Sequence, residues 1–438
     1  MSYEKDQGDS FFMQFKIKEA LKCYLQARNR FFVDGKYESK IKTELQIAKC
    51  LVILGKKEEA IEIFNELIEE TQERLMVNDY YNVVIDFAYS YLLFGEYLES
   101  IKMLKHLEEE VIESSSAEIY FKYWQTRAQI LIEEHRLDEA KVIIKKLMEK
   151  SSDNTNFKPF YYELKVVEAQ IYAEEGRILE AYNNINEALK YFQAQPFERA
   201  AFEKKIILSQ FVEEPEETLK LIDEYLARYG TEDFLPTELE VFRIRLAIRT
   251  GKIDITKAIE KLERALLIAQ SSGNKNTEAD AKLLLASLYQ MVNESFKSFQ
   301  LYSSAREYYK KQKLEYKEAQ AVFFYLPALL QRHSAAILGI GMLFAQNPNV
   351  LDNIISSTKI DKEIEWIIKV FQKYKDPVKE KMSLFFLLSY RIPFLGQGPE
   401  LQESVKQIRE IYKWMENHGE MYYSEMIGQF LELLDRVK

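Results

Sequence analysis

Residues that interrupt helices or cross-link chains are scarce in this 438-residue sequence, which has 14 glycines, 9 prolines and 2 cysteines. Glycine and proline together fall well below their usual share of about 12% of residues. So few turn-forming residues exclude a loop-rich chain and favour long helices with short connections. Cys23 and Cys50 are too few for a disulfide framework, and they fit a reducing compartment.

Signals for secretion and for membrane insertion are also missing. Residues 1–6 lack the basic and then apolar pattern of a signal peptide. The most apolar stretch, residues 319–345, is interrupted by Pro327, and its longest clean run, residues 334–345, is too short to span a bilayer. The net charge of −10 argues against a general affinity for nucleic acid, because such binding needs a basic surface. We therefore expect a cytoplasmic protein that binds neither membranes nor nucleic acid directly.

Sequence patterns for catalysis are absent as well. The four histidines, His106, His135, His333 and His418, have no second ligand at a metal-binding spacing. Residues 339–341 read Gly-Ile-Gly, but the further glycine and the lysine of a nucleotide-binding loop do not follow, and no strand precedes them. No Gly-x-Ser-x-Gly motif is present. The sequence therefore predicts no enzyme, no cofactor and no metal site.

A pattern of small and large residues recurs five times along the chain. Within each copy the steps are 3, 4, 5, 4 and 3 residues, and the first four copies begin 40, 40 and 41 residues apart. Self-similarity at such a period is typical of stacked helical hairpins. The copies are Ala48-Leu51-Gly55-Ala60-Phe64-Leu67, Ala88-Tyr91-Gly95-Ser100-Leu104-Leu107, Ala128-Leu131-His135-Ala140-Ile144-Leu147, Ala169-Tyr172-Gly176-Ala181-Ile185-Ala188 and Ala286-Tyr289-Asn293-Ser298-Tyr302-Ala305.

The first copy shows why this pattern predicts a hairpin. Ala48 and Leu51 lie at helical spacing, Gly55 interrupts the run, and Ala60 and Phe64 resume it. Glycine has no Cβ, so it readily takes the left-handed conformation that ends a helix. The small residues let two helices approach closely, and the large residues fill the groove beside them. Each hairpin keeps an apolar face that only the next hairpin can bury, so stacking is obligatory. The residues equivalent to Gly55 are Gly95, His135, Gly176 and Asn293.

This order of small, large, glycine, small, large and apolar residues resembles the tetratricopeptide repeat. The longer period is similar to that of repeats in kinesin light chains, in bacterial quorum-peptide receptors and in the sensor arms of some bacterial transcription regulators. The resemblance covers residues 9–312. It implies an all-α fold, a right-handed superhelical solenoid of about seven or eight antiparallel helical hairpins. It also implies binding of a peptide or of a protein segment.

Three regions follow from the extent of the repeats. We expect an N-terminal capping helix region at residues 1–40, repeats at residues 41–315 and irregular helices at residues 316–438. Two less regular units, at residues 202–229 and 238–270, precede the last copy. The C-terminal helices either continue and cap the stack or form a separate module with its own partner. They are predicted at residues 316–331, 333–346, 361–374, 377–390, 399–417 and 421–437.

In the resembled family, the first helix of each hairpin lines a concave groove. The corresponding positions here imply a groove that begins apolar and aromatic, becomes polar, and then meets two arginines. Arg245 and Arg249 lie four residues apart, hence on one helical face, and we hypothesise that they bind a carboxylate of a partner. Alternatively, they belong to a solvated or internally paired face. The groove residues that the resemblance implies are Leu45, Lys49, Ile53, Ile85, Tyr89, Leu93, Gln125, Gln129, Val166, Gln170, Arg245 and Arg249.

The leading functional hypothesis is therefore a non-enzymatic scaffold whose concave groove binds a protein or peptide segment. The alternative is a peptide-sensing regulatory protein, similar to a quorum receptor or to the sensor arm of a transcription regulator, which changes its superhelical shape when the ligand binds. A third class, a response-regulator phosphatase built on the same scaffold, has no identifiable catalytic group in this sequence. The sequence predicts neither the identity of the partner nor the oligomeric state.

Overall fold

The computed structural model describes residues 3–105, 107, 116–152, 157–193, 197–229, 237–344, 359–395 and 398–437, and side chains within these ranges except those of residues 332–344, 359, 394 and 437. Apart from turns and one short 3-10 helix, Ile392–Phe394, the regular structure of these residues is α-helical, with no strand among them. The all-α expectation is confirmed. Contacts divide the chain into two units, Met1–Tyr308 and Tyr309–Lys438.

Helices of the first unit follow one another as antiparallel neighbours joined by turns or short linkers. In chain order they are α1 (Tyr3–Met13), α2 (Ile17–Val33), α3 (Tyr37–Ile53), α4 (Lys57–Glu73), α5 (Val77–Leu93), α6 (Tyr97–Lys105), α7 (Ala117–Glu133), α8 (Leu137–Ser152), α9 (Lys158–Glu174), α10 (Ile178–Phe192), α11 (Glu198–Ser209), α12 (Pro215–Tyr229), α13 (Thr237–Arg249), α14 (Ile255–Ser271), α15 (Lys275–Met291) and α16 (Ser295–Lys311), whose last residues belong to the second unit.

Equal helix lengths explain the period of the sequence pattern. The four helices α2 to α5 have 17 residues each, and a three-residue turn separates each from the next. A hairpin together with the turn that follows it therefore occupies 40 residues. The weakly patterned units at residues 202–229 and 238–270 also fold as helix pairs, α11 with α12 and α13 with α14.

The middle residue of each hairpin turn adopts the left-handed backbone conformation that the pattern predicts. Its φ angle is 69° at Gly55, 75° at Gly95, 57° at His135, 76° at Gly176 and 62° at Asn293. In this conformation the amides that follow a helix turn back to its last carbonyl oxygens, as in the Schellman geometry. The turn positions are confirmed, including the two that glycine does not occupy.

Small residues hold the two helices of each hairpin together. Where serine replaces alanine, its hydroxyl donates a hydrogen bond to the other helix of the hairpin. The Ser100 Oγ donates to the carbonyl oxygen of Ala88 at 2.7 Å, and the Ser298 Oγ donates to that of Ala286 at 2.7 Å. The small positions of the five copies are all 0% exposed: Ala48, Ala60, Ala88, Ser100, Ala128, Ala140, Ala169, Ala181, Ala286 and Ser298.

The core of the first unit is distributed along the chain. One cluster joins residues of α2, α3, α4 and α5, the next joins α5, α6 and α7, and another joins α7, α8 and α9. Similar clusters continue from α9 to α15. Phe64 of α4 stacks on Phe87 of α5 with ring centroids 4.7 Å apart, which ties one hairpin to the next. The first unit is therefore a helical-hairpin solenoid, in which each hairpin shares its core with its neighbours.

The turn after α5 contacts residues near the C-terminal end of the first unit, at the start of α15 and in α16. The backbone N–H of Lys275 donates to the carbonyl oxygen of Phe94 at 3.0 Å, and the Tyr308 hydroxyl donates to that of Gly95 at 2.8 Å. We call these four residues the clasp. Beside it, Gly55 packs so closely on Ser272 that a Cβ at Gly55 would lie 2.5 Å from the Ser272 Cβ. The solenoid therefore closes on itself within the first unit.

Among the residues that the structure describes, the second unit contains the end of α16 and five further helices. The predicted helices at residues 316–331 and 333–346 are instead one helix that contains Pro327, and residues 345 and 346 lie outside the described part. The other four predicted C-terminal helices are confirmed within two residues at each end. The helices are α17 (Glu315–Phe344), α18 (Lys359–Lys373), α19 (Pro377–Arg391), α20 (Pro399–Asn417) and α21 (Met421–Val437).

Candidate functional site

The first helices of successive hairpins enclose a space inside the first unit, which we call the lumen. Burial raises the pKa of Glu238 on α13, and the charge of Glu133 on α7, three hairpins earlier, adds to this shift. Burial likewise raises the pKa of Tyr89 on α5, and Glu163 on α9 and Glu203 on α11 add to it. The Glu238 and Tyr89 side chains are nevertheless exposed to water, so protein surrounds them without covering them. Interactions between charges weaken with distance, so these shifts indicate that the helices face one another.

Protein surrounds the Tyr89 side chain, but the ring is still exposed to water. Its side chain is 37% exposed, although burial is the main cause that raises its pKa. The exposure and the raised pKa are compatible, because protein surrounds the ring at a distance that leaves room for water. Leu93, one helical turn further along α5, is 45% exposed. These two residues therefore offer apolar and aromatic surface to the lumen.

A charged patch on α3, α5, α7 and α9 lies beside Tyr89. The Lys49 Nζ pairs with the Asp86 Oδ2 at 2.7 Å. Burial raises the pKa of Glu163 to about 7, although a hydrogen bond with Gln125 and the charge of Lys122 oppose the shift. Near neutral pH, Glu163 is therefore about half protonated. The patch can therefore exchange a proton with the solvent or with a ligand.

Arg199 on α11 is a fixed part of the wall. It donates to the Glu203 Oε1 at 2.6 Å and to the Tyr225 hydroxyl at 3.0 Å. Its guanidinium also lies over the Phe15 ring, 4.1 Å from the centroid. These contacts join α11 to α12 and to the turn between α1 and α2. Because its donors are engaged, Arg199 positions the wall and leaves little charge for a ligand.

Three residues of α13 form an exposed stripe that faces away from the core. Glu238, Arg245 and Arg249 are the exposed residues of this helix, and their separations of 7 and 4 residues place them on one face. Arg243 lies on another face and pairs with Asp223 of α12 at 3.3 Å. Within the described part of the chain, neither Arg245 nor Arg249 forms an ion pair or a hydrogen bond. The stripe carries a carboxylate at one end and two free guanidinium groups at the other.

The amide residues predicted for the groove lie on α7 and α9. Gln125, Gln129 and Gln170 are half-buried. The Gln129 Oε1 is enclosed and accepts no hydrogen bond from the residues that the structure describes. A buried acceptor without a donor is unfavourable by about 1–3 kcal/mol, so an N–H group that reached it would be stabilised.

Not every predicted groove residue reaches the lumen surface. Leu45, Ile85 and Val166 are 9%, 1% and 4% exposed and belong to core clusters between hairpins. They support the wall and do not offer surface to a ligand. Ile53 is half-buried and packs against the first core cluster. Lys49, Tyr89, Leu93, the three glutamines and the two arginines remain as candidates at the surface.

Sequence reasoning missed a second row of wall residues. Lys122, Glu163 and Asp280 each lie six residues before the first small residue of their copy, and their charges act on other wall residues. Each lies seven residues, or about two helical turns, before the repeat position that Tyr89 and Gln129 occupy in their copies. The two positions therefore share one face of the helix. This spacing of two helical turns was the sequence signal that could have identified these wall residues.

Metal-binding clusters and membrane-spanning helices are missing from the described residues. In the part of the chain that the structure describes, no group of three or more histidine, cysteine or acidic residues could hold a metal ion. Among the same residues, no helix has the length and hydropathy needed to cross a membrane. The wall offers an aromatic ring, aliphatic surface, amides, one titrating carboxyl group and two unpaired arginines.

Comparisons with known proteins give structural similarity at low sequence identity. No protein-family model matches the chain, and no curated protein matches its sequence. A solved structure of the apo form of the quorum sensor NprR from B. thuringiensis is 14% identical, with a TM-score of 0.48, covering 86% of this chain and 99% of that one. A Rap protein complexed with competence and sporulation factor is 10% identical, with a TM-score of 0.47, covering 81% and 98%. Yeast Tom70 is 13% identical, with a TM-score of 0.30, covering 99% and 96%.

Proposed function

We propose that the first unit is a non-enzymatic receptor that binds a peptide, or a peptide-like segment of a protein, in its lumen. The observation that carries the proposal is that one enclosed wall presents groups without internal partners. Tyr89 and Leu93 expose apolar surface, the Gln129 Oε1 lacks a donor, and Arg245 and Arg249 lack a carboxylate among the described residues. We also infer that the hairpins are long-period tetratricopeptide repeats, on the spacing of their small residues and turns.

A peptide fits this combination better than a small apolar molecule or a nucleic acid. Its backbone N–H groups can donate to the Gln129 Oε1, its side chains can pack on Tyr89 and Leu93, and its carboxylates can pair with the two arginines. A nucleic acid would bring phosphates next to Glu163 and Glu238, which is unfavourable. The wall is supported by packed helices, so little order has to be gained on binding.

Affinity selection on the immobilised full chain tests this proposal. The probe is a pool of random hexapeptides, and mass spectrometry identifies those that are retained. We expect the wild-type protein to retain a subset, and the Tyr89→Ala and Gln129→Ala variants to retain it at least about fivefold less, since each loses about 1 kcal/mol or more of contact energy.

Two outer residues give matched controls for these variants. Val142 on α8 and Leu179 on α10 are 70% and 67% exposed, and both helices are the second of their hairpins. Val142→Ala and Leu179→Ala should leave retention unchanged. Equal losses from inner and outer variants, or no retention by the wild-type protein, would rule out a receptor that uses the lumen.

We propose as a second candidate that binding changes the shape of the first unit, which would make it a peptide-sensing regulator. The clasp favours this, because two hydrogen bonds at 3.0 Å and 2.8 Å join the turn after α5 to the start of α15 and to α16. A ligand that prefers either the closed or the open form shifts the balance between them. Small-angle X-ray scattering with the retained hexapeptides tests it. A changed radius of gyration supports a sensor, and an unchanged one leaves a rigid scaffold.

We propose a cytoplasmic location on the state of the cysteines. Cys23 and Cys50 are both free and buried, and burial raises the pKa of the Cys50 thiol to about 12. A buried thiol that stays protonated reacts slowly and suits a reducing compartment. The partner proposed for the first unit is therefore a cytoplasmic peptide or protein segment.

A further inference from the structure

We infer that α13 recognises the C-terminal carboxylate of the bound peptide with Arg245 and Arg249, and a lysine or arginine side chain of the same peptide with Glu238. This inference rests on the proposed function, because it names the chemistry of the peptide that the lumen takes. It assigns one end of the peptide to one helix and thereby fixes the direction in which the peptide lies.

The first argument is that the two arginines are free where comparable cations are paired. Arg243, on the same helix, pairs with Asp223 at 3.3 Å and contacts Glu240 at 3.9 Å. Arg177 and Arg136, at exposed turns of other hairpins, each pair with two glutamates. Arg245 and Arg249 are exposed and have no such partner among the described residues.

A pair of guanidinium groups four residues apart suits a terminal carboxylate. They lie about 6 Å apart along the helix axis, and a carboxylate can accept hydrogen bonds from both. The neighbouring luminal residues of α15 at this level are Ser287 and Met291, which are exposed and uncharged. Neither of these two side chains therefore competes with a carboxylate of the ligand.

The second argument is the charge around Glu238. Burial raises its pKa, and the charges of Glu203, Asp280 and Glu133 add to this shift, opposed by Lys204. Like charges in an enclosed place are unfavourable, and a cationic side chain placed among them would relieve the repulsion. The stripe thus has a negative end and a positive end that match a peptide with a cation and a carboxylate.

Helix geometry then fixes the spacing within the peptide. Glu238 and Arg245 are seven residues apart, or about 10 Å along the axis, and Glu238 and Arg249 are about 16 Å apart. An extended peptide advances about 3.3 Å per residue. The cationic residue should therefore lie about three to five residues before the C-terminal residue, which in a hexapeptide means the first three positions.

The experiment compares two pools of the same random hexapeptides, one with free C-terminal carboxylates and one with C-terminal amides. Both are applied to the immobilised full chain, and retained peptides are sequenced by mass spectrometry. We expect the wild-type protein to retain the free-acid pool at least about tenfold better, as charge-assisted hydrogen bonds predict. We also expect lysine and arginine to be enriched in the first three positions of the retained peptides.

Variants on α13 separate the two halves of the inference. The double variant Arg245→Gln/Arg249→Gln should lose the preference for free acids, and Arg245→Lys/Arg249→Lys should keep part of it. Glu238→Gln should keep the preference for free acids and lose the enrichment of cations. Arg243→Gln removes one positive charge from another face of the same helix and should change neither.

The outcomes distinguish this inference from the proposed function. Equal retention of acids and amides by the wild-type protein, with Tyr89→Ala still impaired, would overturn the inference and leave the receptor intact. A free-acid preference that persists in Arg245→Gln/Arg249→Gln would also overturn it. Retention of neither pool would refute both. Circular dichroism of each variant checks that the helix content of the whole chain is unchanged.

Discussion

Glycine serves two different purposes at the hairpin turns. Gly95 and Gly176 have nearly the same φ, 75° and 76°, so both turns need the left-handed conformation. Around Gly176 a Cβ would meet no atom of the described residues within 4 Å. At Gly95 it would lie 2.5 Å from the Tyr308 hydroxyl oxygen and 2.8 Å from the backbone nitrogen of Asn276. One glycine therefore serves the turn alone, and the other also serves the clasp.

Alanine substitutions at Gly176 and Gly95 separate the role of glycine in the turn from its role in the clasp. We expect Gly176→Ala to lower the free energy of unfolding by about 1 kcal/mol, the cost of the left-handed conformation for a residue with a Cβ. Gly95→Ala should lower it by about 1–3 kcal/mol more, because the added methyl group overpacks the clasp. Urea unfolding of both variants measures the difference, and equal losses would show that the clasp contributes nothing.

The pKa of Glu163 gives a pH dependence of known sign. Burial raises this pKa from 4.5 to about 7, so between these values the folded protein binds more protons than the unfolded chain. The stability that this residue contributes is therefore full below pH 4.5 and is lost as the pH rises past 7. Of the groups that face it, Lys122 opposes the shift, and Tyr89 stays protonated in this range.

Unfolding in urea at several pH values from 5 to 8 tests this. We expect wild-type protein to lose stability relative to Glu163→Gln as the pH rises. Glu180 gives the control, because Arg177 lowers its pKa and it therefore stays ionised throughout this range. Glu180→Gln should run parallel to the wild type. A Glu163→Gln curve that is also parallel would contradict the raised pKa.

The residues also show where sequence reasoning reached its limit. Leu75 has a φ of 56° in the turn between α4 and α5, although a branched side chain is disfavoured in this conformation. Its position in the repeat, and not its type, decides its conformation, because its two flanking helices are fixed by packing. The exposed pair Arg245 and Arg249 could be predicted because the two residues share a helical face. The groove position three residues before the first small residue was a poor guide, because Leu45, Ile85 and Val166 occupy it and are buried.

At the scale of the elements, packing between hairpins holds the first unit together. Phe64 is 0% exposed and stacks on Phe87, which also stacks on Tyr91 at 4.5 Å. These rings join α4 to α5, two helices that belong to different hairpins. The stability of one hairpin therefore depends on the next.

Removal of one ring should act locally. We expect Phe64→Ala to destabilise by about 3–5 kcal/mol and to speed hydrogen exchange in α3 to α6 more than in α9 to α11. Phe32, at the end of α2, is 62% exposed, so Phe32→Ala should change stability by no more than about 0.5 kcal/mol. Exchange that rises equally along the whole first unit in Phe64→Ala would indicate one cooperative core and not a solenoid.

Elements were predictable where the pattern repeats and less so where it fades. The turns at Gly55 and Asn293 followed from a spacing that packing enforces in every copy. The predicted break between residues 331 and 333 was wrong, because α17 runs from Glu315 to Phe344 through Pro327. Proline usually interrupts a helix, but the flanking apolar residues Val322, Phe323 and Leu326 are buried and hold this segment in place.

At the scale of the whole molecule, closure of the first unit was beyond the reach of the sequence. The clasp joins Gly95 to Tyr308, which are 213 residues apart, and no local pattern marks either as a partner of the other. Small angles between successive hairpins add up to decide where the ends of a solenoid meet. Those angles depend on packing details that composition and spacing do not contain.

A proline at the start of α15 tests the clasp without breaking a helix. Lys275 is the first residue of α15, and its N–H donates to the Phe94 carbonyl oxygen. Proline is favourable at this helical position but has no N–H, so Lys275→Pro removes this bond while keeping the helix. It also removes the ion pair between Lys275 and Glu278, but Glu278 keeps its other partner, Lys282, at 2.7 Å. We expect faster hydrogen exchange at the turn after α5 and a larger maximum dimension in scattering.

Ala117→Pro is the matched control for that variant. Ala117 is exposed at the first position of α7 and is not a clasp residue, and Ser116 before it is already extended. Exchange and scattering should match those of the wild type. If Lys275→Pro also behaved like the wild type, the clasp would not hold the first unit closed.

The central claim is that the inner wall of the first unit, and not its outer surface, receives a peptide. Site-specific photo-crosslinking tests it most directly, with p-benzoylphenylalanine placed at Tyr89, at Gln129 and, on the outer surface, at Val142. With the free-acid hexapeptide pool, the account predicts peptide adducts at the first two positions and none at the third. Adducts at Val142 alone, or equally at all three positions, would contradict it.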